Sequence, residues 1–295
     1  MGHGPGASAE AIQYHYDVAD EFYELWLDET RTYSSALWDG ELDTLEAAQL
    51  RKLDYHIDQA RARNAESVLD IGCGWGSLLH RLVGTHGVKQ ATGLTLSNRQ
   101  SSHIRRQAWP GVEVRQESWW DHRSAAPYDA IVSIGAFEHF ARLDQDATEK
   151  VEGYRAFFER CHAWLKPGGC LSLQTMSYEN SKRDDFSDYF KTEIFPESDL
   201  PRISEIAQAS EYLFEMVTLR GDRDHYVRTL QAWRDRLRAR RAQAVAIVGD
   251  GTVAKYDKYL QMAMLGFHGA TMNLLRIGFR RIDRPRRSAM SHASP

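Results

Sequence analysis

The first chemical signal is Ser67-Val-Leu-Asp-Ile-Gly-Cys-Gly-Trp-Gly76, an apolar run closed by Asp70 and followed by glycines at alternate positions. Val68 to Ile71 reads as a buried strand, and Leu78, Leu79, Leu82 and Val83 restart with helical spacing, so a strand turns sharply into a helix. Gly72, Gly74 and Gly76 remove the Cβ atoms that would keep a ligand off the backbone, while the helix start supplies unpaired N–H groups. Such a loop suits the edge of a nucleotide. A dinucleotide fingerprint would place its third glycine at position 77, which is Ser77, and an acidic residue at the end of the second strand, where Thr95 stands. A nicotinamide-linked oxidoreductase is therefore disfavoured.

The elements that must hold this loop alternate as in a parallel α/β sheet. Strands are expected at Gln90 to Leu96, Gly111 to Gln116, Tyr128 to Ile134 and Cys170 to Met176, with helices at Arg99 to Gln107 and Ala147 to Leu165. Later come a helix at Ile203 to Tyr212, a strand at Phe214 to Leu219, long helices from His225 and Val253, and a last strand at Leu275 to Ile282. Ahead of the loop, Ala9 to Asp28 lines up Ile12, Tyr16, Ala19, Phe22, Tyr23 and Trp26 on one helical face. That face either packs on the chain's own core, closes over the site, or joins subunits in a homo-oligomer. Asp43 with Glu46 reads as a capped start for the helix carrying Leu45, Leu53 and Ile57. The expected division is an amino-terminal helical lid (1–62), a core (63–177 and 203–282), an inserted cap (178–202) and a disordered tail (283–295).

The 295 residues are 42% hydrophobic, enough for a real core, and the net charge of −4 argues against a nucleic-acid partner. Cys73, Cys161 and Cys170 are odd in number and lack C-x-x-C spacing, so free thiols in a reducing compartment are expected rather than disulfides or a metal ribbon. Without an apolar run of about 18 residues or a basic-then-apolar leader, the expectation is a cytoplasmic protein with no stable membrane insertion.

Several stretches match one family together. They are His15-Tyr-Asp17, Phe22-Tyr23, Tyr33-Ser34, Leu45-Glu46 with Ala48-Gln49, Val68 to Gly76, and Gly93-Leu-Thr-Leu-Ser97 with Gln100. Further on are Ser133-Ile-Gly-Ala-Phe-Glu-His139, Thr192-Glu-Ile-Phe-Pro196 with Leu200-Pro201, and His225-Tyr226 with Thr229-Leu230 and Trp233. The chain thus resembles the cyclopropane fatty acid and mycolic acid cyclopropane synthases, enzymes dependent on S-adenosylmethionine (SAM) that methylate an alkene carbon. The resemblance implies an α/β, Rossmann-like class I methyltransferase fold with a mostly parallel seven-stranded sheet. It also implies a set of cofactor residues: Asp70 with Gly72, Gly74 and Gly76 at the methionine and ribose end, Thr95, Leu96 and Gln100 at the ribose, Ser118 and Trp119 at the adenine, and Tyr33, Ser34 and Ile134 nearby. The product would be S-adenosylhomocysteine (SAH).

For catalysis the resemblance points to Glu138, His139 and Tyr226. Methylating an uncharged alkene moves positive charge from sulfur to carbon, so the site must tolerate a cation and then remove a proton. Carboxylates and aromatic faces do the first, and a base does the second. In the family, residues matching Glu138 and Tyr226 help to hold a bicarbonate that acts as this base. Its other holders are a cysteine and a histidine where this chain has Ser35 and Gln174. Bicarbonate is therefore in doubt, and ring closure with it. The leading expectation is C-methylation of an alkene in a hydrophobic small molecule, a prenyl or terpenoid group of a secondary metabolite, by way of a cation that cyclises or loses a proton. The alternative is an unsaturated fatty acyl chain, with Arg236, Arg238, Arg240 and Arg241 available to acidic lipid or carrier protein. N-methylation of an amine ranks third. A SAM-binding protein without transfer chemistry is the competing class.

Overall fold

The computed structural model describes residues 19–142, 144–182, 185 and 199–283. The first part of the expected amino-terminal helical segment, the His15-Tyr-Asp17 and Thr192–Pro196 motifs, most of the expected cap and nearly all of the expected tail lie outside them. Seven strands form one sheet: β1 (Ser67–Ile71), β2 (Gln90–Thr95), β3 (Val112–Gln116), β4 (Tyr128–Ile134), β5 (Leu165–Tyr178), β6 (Phe214–Gly221) and β7 (Met272–Arg281). Their order is β3-β2-β1-β4-β5-β7-β6, parallel from β3 to β5, with β7 antiparallel to both of its neighbours. This is the mostly parallel sheet expected from the alternating pattern. The strand order reverses beside β1, and the crevice at its carboxyl end is where ligands of open α/β sheets bind.

The described helices are α1 (Asp20–Glu24), α2 (Leu45–Gln59), α3 (Ser77–Thr85), α4 (Asn98–Gln107), α5 (Ala147–Trp164), α6 (Ile203–Ser210), α7 (Arg223–Ala239), α8 (Arg241–Val248) and α9 (Asp250–His268). Two expected helix ends are corrected. Helix α1 stops at Glu24 rather than Asp28, because the Asp28 carboxylate accepts the N–H groups of Thr30 and Thr32, each at 2.9 Å, and turns the chain. The cap of α2 is Thr44, whose Oγ1 accepts from the Ala47 N–H at 3.2 Å; Asp43 instead accepts the Asp39 N–H at 2.8 Å and pairs with Arg51.

Helices α7 to α9 form an insertion between β6 and β7 that periodicity alone did not separate from the sheet. With α1, the start of α2 and Met176, Met272 and Leu274 of the sheet they build one apolar cluster. Phe22, Tyr23 and Trp26 are fully buried there, with Phe22 4.9 Å from the Tyr256 ring and Trp26 5.8 Å from Trp233. These three side chains of the aromatic face are thus buried by their own chain. Arginines bind this insertion to the segment before α2. Arg228 lies 4.1 Å over Trp38 and donates to the Gly40 and Glu41 carbonyls, Arg236 to Glu46 and the Leu27 carbonyl, and Arg240 to the Leu25 carbonyl. Arg238 pairs with Asp257 and Arg241 with Asp250. The four arginines read as a lipid-facing or carrier-facing patch are therefore engaged within the chain. Among the described residues no helix is long and apolar enough to cross a membrane, and no acidic, histidine and cysteine group is placed to hold a metal.

Candidate active site

The glycine turn is fixed to β2 by the Gly72 and Cys73 N–H groups, which both donate to the Leu94 carbonyl at 3.0 Å. All three glycines adopt positive φ, but they do different work. A Cβ on Gly72 would lie 2.5 Å from the Ala136 Cβ, and one on Gly76 would lie 2.9 Å from Ile104 Cγ1. Those two let the loop pack against its neighbours. Only Gly74 faces open space, so it is the position where a ligand can approach the backbone.

The expected cofactor residues from Asp70 to Ile134 lie at or after the carboxyl ends of β1 to β4. Asp70, at the β1 end, is 3% exposed, and burial pushes its carboxyl up to about 7, opposed by the charge of Lys52. Thr95 Oγ1 donates to Gln100 Oε1 at 2.7 Å and accepts the Ser97 N–H at 3.1 Å, while Leu96 follows β2 directly. That bond consumes the carboxamide oxygen of Gln100; its Nε2 makes no hydrogen bond among the described residues and is a donor left for a hydroxyl. Ser118 Oγ accepts the Trp120 N–H at 3.1 Å, and Trp119 is 6% exposed, edge-on to Phe157 at 5.6 Å. Trp119 is thereby a member of the sheet core. Ile134 closes β4 opposite Gln174. An open positive-φ glycine, a buried acidic strand end and an unspent amide donor fit SAM.

Six parts of the chain meet at a cavity of about 30 Å³. The segment before α2 contributes Tyr33, Ser34 and Ser35; the 3-10 turn Phe137–His139 contributes Glu138 and His139; β5 contributes Gln174 and Met176. Tyr226 of α7 and Tyr259 of α9 complete the wall, with Leu274 of β7. All five expected catalytic positions, Glu138, His139, Tyr226, Gln174 and Ser35, therefore line one space.

Glu138 is 2% exposed; its Oε1 accepts the Met176 N–H at 2.6 Å, and its buried Oε2 has no hydrogen-bond partner. Burial pushes this carboxyl up to about 7, with the Met176 bond pulling the other way. Burial also lowers His139 to about 4 and keeps it neutral. Ser35 Oγ is turned to the Ala36 carbonyl at 3.3 Å. The Tyr33 ring lies 5.5 Å from Tyr23 and 5.3 Å from both Trp26 and Trp233, and Tyr226 lies 4.7 Å from Phe267, so the wall is a continuous set of aromatic faces. A carboxyl near neutrality beside such faces can take up a proton and can stabilise a cation.

Sequence reasoning missed the charged layer behind the cavity. Lys52 of α2 is fully buried and donates to Ser34 Oγ at 2.7 Å; burial above all, then the Arg276 charge, lowers it to about 7 despite Asp28 and Asp70. His56, one turn on, is fully buried with Nε2 3.2 Å from Gln174 Oε1. Arg276 of β7, also fully buried, pairs with Asp222 and donates to Gln174 Oε1 at 3.0 Å. The available signal was positional: three cations or imidazoles standing inside apolar periodicity.

Comparison with known proteins identifies the family and the fold. The family model for mycolic acid cyclopropane synthetase matches residues 4–277. Cyclopropane mycolic acid synthase 1 of Mycobacterium tuberculosis is 33% identical over 266 residues, 84% of this chain and 89% of that protein. The crystal structure of mycolic acid cyclopropane synthase CmaA1 complexed with SAH and CTAB superposes with a TM-score of 0.85 at 30% identity, covering 94% of this chain and 99% of that one. A geranyl diphosphate C-methyltransferase from Streptomyces coelicolor, with a TM-score of 0.64 at 14% identity over 95% of this chain and 100% of that one, shares the fold alone.

Proposed function

The chain belongs to the mycolic acid cyclopropane synthetase family, SAM-dependent methyltransferases, and from that premise we propose that it methylates the alkene of an unsaturated fatty acyl chain. The similarity over most of both chains favours this substrate over the prenyl group expected first from Ser35 and Gln174. The observation that carries the reaction type is Glu138, a buried carboxyl with one oxygen unpaired, in an aromatic-walled cavity.

Asp70, Gly74 and Gln100 would hold the cofactor, which when bound supplies an electrophilic methyl group on a cationic sulfur. The chain's own residues then manage charge. Aromatic faces of Tyr33, Tyr226 and Tyr259 stabilise the cation left on the alkene, at about 0.5–2 kcal/mol per contact. The Glu138 carboxylate stabilises the same charge and accepts the proton that ends the reaction. Neutral His139 adds no opposing positive charge.

The test is incubation with SAM and phospholipid vesicles bearing cis-unsaturated acyl chains, followed by mass spectrometry for a gain of one methylene. Proton NMR of the product then separates a cyclopropane from a methyl branch. A parallel incubation with prenylated compounds addresses the second reading, which the exchanged Ser35 and Gln174 favour. Product from prenyl compounds and none from acyl chains would overturn the substrate assignment.

A further inference from the structure

Gln174 points its oxygen away from the reaction cavity. Its Oε1 accepts from Arg276 Nε at 3.0 Å and lies 3.2 Å from His56 Nε2. Arg276 cannot turn aside, because its other nitrogens pair with Asp222 and donate to the Ser35 and Ala36 carbonyls at 3.2 and 3.0 Å. A guanidinium has only donors, so the atom facing it must be the carboxamide oxygen, and this fixes the flip of Gln174. His56 Nε2 then carries the hydrogen and its Nδ1 accepts from Ser172 Oγ at 2.7 Å, an arrangement in which the Gln59 carboxamide beside Ser172 turns its NH2 rather than its oxygen to that hydroxyl. The NH2 of Gln174 is left to the cavity, where it makes no hydrogen bond among the described residues. Glu138, with its unpaired Oε2, lines that same cavity.

We propose that Arg276 and His56 are positioning residues that lock the Gln174 carboxamide with its NH2 toward the cavity, where it favours the charged carboxylate of Glu138. The kinetic consequence rests on the methyl-transfer reading; the structural one does not. A carboxamide turned over would present its oxygen and favour the protonated carboxyl instead. The other titratable groups facing Glu138 are His139 beside it, Tyr154 on α5, Tyr226 on α7, and Tyr33 and Tyr259 on the aromatic wall. Burial keeps His139 neutral and the phenols of Tyr33, Tyr154 and Tyr259 protonated, so they supply no counter-charge.

The experiment follows the side-chain carboxyl carbon of Glu138 by NMR through a pH titration of the SAH-bound protein labelled with carbon-13 glutamate, assigned by its loss in Glu138→Gln. Arg276→Lys keeps a charge for Asp222 but cannot serve Gln174 and two carbonyls as well, and His56→Phe keeps a ring without a donor. Each should raise the Glu138 midpoint by about one unit, Gln174→Leu alone should do the same, and neither variant should add to the shift once Gln174→Leu is present. No rise in Gln174→Leu, or a further shift from Arg276→Lys or His56→Phe in that background, would overturn the proposal. Should either buried-site variant fail to fold by circular dichroism, the remaining one and Gln174→Leu decide. The titration needs no substrate, so a failure of the alkene reading leaves it standing. Where both hold, the pH profile of kcat/KM on the acyl substrate moves by the same amount, which a merely structural role would not produce.

Discussion

The Glu138 carboxylate takes the Met176 backbone N–H at 2.6 Å through one oxygen and leaves the other without a partner. The 3-10 turn after β4 is thereby tied to β5, and a carboxyl is fixed in a space lined by aromatic rings. Replacing it with the isosteric amide should keep the fold and lose the chemistry. Glu138→Gln is expected to lower kcat by about a hundredfold or more. SAH affinity, measured by calorimetry, should be retained; a loss of binding would place Glu138 in the cofactor site instead.

The same residue makes stability depend on pH with a definite sign. Its folded carboxyl titrates at about 7 against an ordinary 4.5, so between these values the folded state holds a proton that the unfolded state has released. This contribution makes stability fall as pH rises through that window. Glu138→Gln should raise Tm relative to the parent at about pH 8 and show no such gain at about pH 4. Thermal melts at the two pH values check it.

The three loop glycines should separate into two classes. Gly72→Ala drives its Cβ to 2.5 Å from Ala136 and should cost about 1–3 kcal/mol of stability in urea unfolding. Gly74→Ala carries the strain of a side chain at positive φ but meets open space in the free protein, so it should lose SAH binding out of proportion to its loss of stability.

Lys52 should matter to the cofactor without touching the alkene. Its positive charge is what opposes the burial of Asp70, so Lys52→Met should push the Asp70 carboxyl still higher. SAH affinity is expected to fall by about fivefold near neutral pH and to recover in part toward pH 9, where Asp70 is ionised again. A pH series of calorimetric titrations reads this directly.

Bicarbonate offers a last test. With Ser35 turned to the Ala36 carbonyl and Gln174 held from behind, the proton acceptor of this reading is Glu138 itself. Turnover in carbon dioxide-depleted buffer should equal that with added bicarbonate, whereas a rate that climbs with bicarbonate would assign the base to the anion.

Much of the sheet was legible because β1, β2 and β4 are short apolar runs bounded by turn residues, and the glycine loop is local in sequence. The cavity positions were legible only through family motifs, since Glu138, Gln174 and Tyr226 come from three distant segments. The charged layer was not legible at all. Arg276 finds Asp222, Gln174 and the Ser35 carbonyl across 54, 102 and 241 residues. Nothing in its own neighbourhood, Leu274-Leu-Arg-Ile277, separates it from an arginine at a strand edge. Helices α7 to α9 were grouped with the core for a related reason: their apolar faces show helical period, but period does not say what they cover.

The guanidinium clasps from Arg228, Arg236 and Arg240 onto carbonyls between Leu25 and Glu41 join two stretches almost two hundred positions apart. Anyone grafting a relative's insertion onto this scaffold to change substrate range would have to transplant both pieces as one cassette. Swapping the helices alone would remove these donors and leave the segment that presents Tyr33, Ser34 and Ser35 to the cavity less firmly held.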